Sequence, residues 1–162
     1  MNSLSLARDD LRKARARRRA LQVLYEEESY DDVVREAQEI VELILKGARR
    51  YIGIDPPKRH DVGATLRAHQ DHLPDAWRKK LAWIEKVSAS LFEERSPAFY
   101  GNETDVIPAS DLYEREDAER ALNWTTELVK LYEHMVTERG QRGDPSQDEE
   151  GGENDISETS TR

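Results

Sequence analysis

The sequence predicts an all-α protein, an up-and-down bundle of four to five helices followed by a disordered acidic C-terminal tail. Three observations lead there. Apolar residues recur every three or four positions over long stretches, the prolines fall between those stretches, and apolar and charged residues each make up 36% of the chain, a balance that suits helices with one apolar face each. At 162 residues the chain has the size of one domain with one core.

The first helix is expected from about Leu4 to Glu27, because Leu4, Ala7, Leu11, Ala14, Leu21 and Tyr25 line one face. Ser29 with Asp31 and Asp32 reads as the start of a second helix, a capping residue followed by acids at the positive end of the helix dipole. Val33, Ala37, Ile40, Val41, Ile44, Ala48, Tyr51 and Ile52 continue it at helical spacing. It must end near Gly53, since Pro56 and Pro57 have no backbone N–H to donate. A short third helix is expected over Asp61 to His72. Pro74 then sits in the first turn of a fourth, which Trp77, Leu81, Ile84, Val87, Ser88 and Leu91 carry to about Glu94.

Between Arg95 and Leu112 no helical period persists, and Ser96-Pro97 and Gly101-Asn102 punctuate the stretch. It should be an irregular connection with some order of its own, and its length hints at a functional role. The last helix is expected from Tyr113 to Arg139, along Ala118, Ala121, Thr125, Leu128, Tyr132 and Met135. The expected domain therefore covers residues 1–139 and the tail 140–162. The tail has one aliphatic residue and no aromatic, too little to offset its ordering entropy.

Composition excludes several function classes. There is no cysteine, so disulfides, thiolate zinc sites and cysteine nucleophiles are absent, which fits a reducing compartment. No apolar run could span a bilayer, and the first residues carry no secretory h-region, so the expectation is a cytoplasmic protein with no membrane association. Residues 144–162 hold seven acids against one base, −6 of the net −9, which leaves the folded part close to balanced.

Few clusters suggest chemistry. Arg12, Lys13, Arg15, Arg17, Arg18 and Arg19 could meet phosphates or form a solvated helix face. His69 and His72, with Asp75 behind them, loosely match a metal-ligand spacing, but no second ligand pair accompanies them and no metal or cofactor is expected. His60, beside Asp61, precedes a helix start, where it would cap or orient the turn. No phosphate-cradling glycine loop, nucleophile elbow or zincin motif is present.

Several segments, taken in order, carry a family resemblance: Ala7-Arg8-Asp9-Asp10-Leu11, Tyr30-Asp31-Asp32-Val33-Val34 leading into residues 37–47, and Pro56-Pro57-Lys58-Arg59-His60-Asp61-Val62-Gly63. Ala98-Phe99-Tyr100-Gly101, Leu112-Tyr113 and Ala118-Glu119-Arg120-Ala121-Leu122 complete the set, with Gln38, Glu42 and Lys46 on one face of the second helix. Together they resemble the HEPN family (higher eukaryotes and prokaryotes nucleotide-binding domain), in its small stand-alone prokaryotic type, over residues 4 to 138. The resemblance implies a helical bundle that forms a homodimer, works beside a small nucleotidyltransferase in a toxin-antitoxin-like module, and binds nucleotide or RNA.

Many members of that family are metal-independent RNases. Their motif pairs an arginine, which holds the scissile phosphate, with a histidine separated from it by four to six residues that serves as acid or base. The corresponding segment here is Arg95-Ser96-Pro97-Ala98-Phe99-Tyr100, with tyrosine where histidine would stand. A phenol, with an ordinary pKa of about 10, is a poor proton shuttle at neutral pH. The RNase motif is degenerate. The expected ligand cleft holds Arg95, Phe99, Tyr100 and His60, although Phe99 and Tyr100 could equally be core aromatics, and any catalysis would fall to Arg95 with Tyr100 or His60. Arg67 and His72 fit the spacing rule but lie outside the family cleft. A metal-independent endoribonuclease is the rival reading, and a structural helical adaptor the third.

Overall fold

The computed structural model describes residues 3–55 and 63–141. Its order is α1 (Ser3–Glu26), α2 (Tyr30–Tyr51), α3 (Gly63–Arg67), a 3-10 turn (Gln70–His72), α4 (Asp75–Glu94), α5 (Pro97–Tyr100), a second 3-10 turn (Ala109–Asp111) and α6 (Arg115–Gln141). The described residues contain no strand, only the isolated bridge between Asn102 and Ile107.

α1 and α2 form an antiparallel hairpin. Its turn relies on Glu28, which adopts a left-handed φ of 59°, and on Ser29 at the N-cap of α2. The Ser29 hydroxyl donates to the Asp32 carboxylate at 2.8 Å instead of accepting from the helix backbone. α2 closes where Gly53, at φ 78°, lets the Ile54 amide return to the Arg49 carbonyl at 2.9 Å.

The core lies where α1, α2 and α6 meet, with α4 packed against α2 and α6. Val33, Ala37, Ile40, Ile44 and Ala48 of α2 have no exposed surface, and Leu21, Leu128 and Tyr132 meet the same cluster. Each buried large aliphatic side chain stabilises the fold by roughly 1.5–3 kcal/mol, so this face carries much of the stability. α6 runs antiparallel to α1: Tyr25 donates to Glu119 near one end, and Tyr132 donates to the Ala7 carbonyl at 2.8 Å near the other. That second bond requires Gly47, because a Cβ there would sit 2.3 Å from the Tyr132 oxygen. α4 runs antiparallel to α6, with Trp77 Nε1 on the Leu131 carbonyl at 3.4 Å and Lys80 on Glu127.

The bundle matches the predicted class, with differences at its joints. The expected third helix over 61–72 is one turn and a half: α3 stops at Arg67, and a 3-10 turn replaces its second half. Its first residues, like His60 and the expected tail beyond Gln141, lie outside the described residues. The last helix starts at Arg115, two residues after the buried Tyr113, and runs on to Gln141, past the boundary expected at residue 139. The connection over 95–112 is more ordered than its sequence suggested, holding α5 and a 3-10 turn.

Candidate functional site

The site forms where α4 ends. Pro97 cannot continue the hydrogen-bond ladder of α4, so the chain turns at Arg95 and Ser96 and restarts as the single turn of α5. Ala98, the one buried residue of α5, holds that turn against the bundle, and α5 packs on α2. Gly101 ends it at φ 72°, a region that favours glycine; a Cβ there would also lie 2.2 Å from the Ile107 carbonyl. Asn102 and Ile107 then exchange both backbone bonds, at 2.8 and 3.0 Å, and pin the loop shut.

With α5 fixed this way, its aromatics face outward. Phe99 and Tyr100 are 52% and 63% exposed, which settles the choice between core and surface in favour of surface. Their rings meet edge to face, 4.5 Å between centroids. The Arg35 guanidinium lies over the Phe99 ring at 4.4 Å, and Arg95 is 3.6 Å from the Glu39 carboxylate. Two guanidiniums, one carboxylate and two exposed aromatic rings thus share one surface. Such a surface can hold a phosphate between cations and stack a flat ring on an aromatic.

The sequence located Arg95, Phe99 and Tyr100, and the structure places all three together. It did not identify Arg35 and Glu39. Their signal was a charged pair at i and i+4 on α2, beside the apolar face and in line with Glu42 and Lys46. Further along α2, Gln38 donates to Glu42 at 3.0 Å and Lys46 to Glu42 at 2.5 Å. Gln38 is 3% exposed, and its Oε1 is buried with no hydrogen-bond partner. A polar, partly buried face therefore runs along α2 from the α5 contact.

The other candidates separate from this site. Arg67 is held by Glu85 of α4, whose carboxyl that guanidinium keeps below the usual range, so Arg67 does not work with His72. The cationic block of α1 is largely spoken for. Arg12 and Lys13 lie on Asp9, Arg15 on Glu133, Arg17 on Glu36 at 2.8 Å, and Arg18 on the Thr126 hydroxyl at 3.1 Å. Among the described residues, no three His, Asp or Glu side chains group to hold a metal ion, and no helix is long and apolar enough to cross a membrane.

No curated protein and no solved structure matches the chain significantly. The HEPN domain model matches residues 7–135, most of the chain, and the protein belongs to the HEPN family.

Proposed function

We propose that this protein binds RNA or a nucleotide at the surface built by Arg35, Arg95, Phe99 and Tyr100, and that it does so without efficient cleavage. The observation that carries this reading is the pairing of a half-buried arginine at the end of α4 with two outward-facing aromatics, of which Tyr100 stands where an RNase of this family has its histidine. Arg95 and Arg35 supply charge for a phosphate, and the aromatics supply a stacking face. Tyr100 can donate a hydrogen bond to that phosphate, but a phenol is a poorer general acid–base group than the imidazole it replaces. In this reading the protein is a homodimer, which brings two such surfaces together, and it acts with a small nucleotidyltransferase in a toxin-antitoxin-like module.

The test is to incubate the purified protein with RNA in the presence of chelator, beside an Arg95→Ala variant, and to measure both binding and cleavage. The expected result is salt-dependent binding with little cleavage, weakened about tenfold by the variant, as loss of a charge-assisted phosphate contact implies. Rapid cleavage abolished by the variant would instead establish an endoribonuclease. RNA and nucleotide binding by neither protein would overturn the reading in favour of a structural adaptor. Light scattering at several concentrations checks the dimer.

A further inference from the structure

A groove runs between α4 and α6 and opens beside the end of α4, with a volume of about 320 Å³. Val34, Leu91 and Ala121 form an apolar floor, and Trp124 stands in its wall. The Arg120 guanidinium lies 5.7 Å from the centre of the Trp124 ring and is fixed by Asp117 at 2.6 Å. A flat group entering the groove therefore meets an aromatic face and a guanidinium plane, the two surfaces on which unstacked bases settle.

The end of the groove nearest Arg95 is chemically one-sided. Glu93 and Glu94 line it, and both are acceptors only. Glu94 is held in place by the buried Tyr113, whose hydroxyl donates to Oε2 at 2.5 Å. Burial, and then Glu94 itself, hold the Tyr113 phenol well above its ordinary range, so it stays a donor at every working pH. The Tyr113 bond limits how the Glu94 carboxylate can turn, and lone pairs beyond that bond are available to a ligand in the groove that Glu94 lines.

A base whose edge presents two adjacent N–H donors matches that carboxylate; a base that places an acceptor next to a donor brings a lone pair against it. Guanine meets the first description through its N1–H and exocyclic amine. Adenine, cytosine and uracil each place an acceptor beside their donor. We infer that the α4–α6 groove is a base-specificity pocket that selects guanine, with Glu94 accepting from the guanine edge and Trp124 stacking the ring, next to the phosphate held at Arg95. The inference rests on the RNA-binding reading above and extends it from a phosphate surface to a preferred base. Glu94 and Arg95 are consecutive at the end of α4, so base and phosphate recognition are set by one stretch of backbone.

The experiment measures fluorescence anisotropy with short 2′-O-methyl uridine oligonucleotides, which cannot be cut through the 2′ oxygen, carrying one central guanosine, adenosine or inosine. The guanosine oligonucleotide should bind about tenfold more tightly than the adenosine one. Inosine, which lacks the exocyclic amine, should lose most of that gain. Glu94→Gln replaces one acceptor oxygen by a donor, and it should abolish the guanine preference while leaving plain uridine oligonucleotide binding unchanged. Tyr113→Phe, which frees Glu94 without removing it, should reduce the preference in part; circular dichroism of both variants confirms that they are folded. Equal affinity for all three oligonucleotides in a protein that Arg95→Ala still weakens would overturn the guanine pocket and leave the binding reading standing. A preference that survives Glu94→Gln would overturn it too. Absence of binding to every oligonucleotide would remove both.

Discussion

The two faces of α2 contrast sharply. One presents Val33, Ala37, Ile40, Ile44 and Ala48, all without exposed surface, to α1 and α6. The other presents Arg35, Gln38, Glu39, Glu42 and Lys46, with Gln38 and Lys46 both donating to Glu42, and is continued by Arg95 on Glu39 and Phe99 under Arg35. A single helix thus carries a dry face that holds the fold and a polar face that is only partly satisfied. The orphaned Gln38 oxygen marks the difference: such a buried, unpartnered atom costs about 1–3 kcal/mol, and it stands on the polar face and not on the dry one.

The contrast is open to three tests, of decreasing expected effect. Gly47→Ala forces a methyl group against the Tyr132 ring and hydroxyl on the dry face, and overpacking there should cost about 2–3 kcal/mol of global stability. Urea denaturation would show it as a lower midpoint with an unchanged slope, and an unaltered midpoint would mean that α2 and α6 are less tightly seated than Tyr132 indicates. Gly101→Ala strains the loop that presents α5 by about 1–2 kcal/mol, through a left-handed φ and the Ile107 carbonyl. Its effect should be most visible locally: hydrogen exchange rises over residues 97–108 and oligonucleotide affinity falls, while the urea midpoint drops by less than in Gly47→Ala. Glu39→Gln removes the carboxylate that competes for Arg95. Because this ion pair is long, 3.6 Å, and open to solvent on one side, stability should change by less than about 0.5 kcal/mol while affinity for an anionic ligand increases. A stability loss like that of Gly47→Ala would erase the distinction between the two faces.

The dry face was legible in the sequence because burial leaves a period. Val33 through Ile52 repeat at helical spacing, and the structure places that stripe where the pattern put it. The last helix was legible for the same reason, and its start was misjudged because Tyr113 is buried by tertiary packing just ahead of the helix. The site was half legible. Arg95, Phe99 and Tyr100 stand in one short segment and could be read together, whereas Arg35 and Glu39 reach them only through the packing of α5 on α2, which no local pattern encodes. The order inside residues 95–112 was hidden too. It comes from Ala98 docking and the Asn102–Ile107 bridge, each a single contact without periodicity.

The hydrogen bond from Tyr132 to Ala7 joins residues 125 positions apart, so it can form only after most of the chain has been made. The α1–α2 hairpin can form early, but its apolar face has no third wall until α6 leaves the ribosome. At typical elongation rates of about 5–20 residues per second, that face waits on the order of ten seconds. Throughout that interval the nascent chain displays an uncovered hydrophobic stripe, the form in which it is most open to chaperone capture and to pairing with a second nascent copy.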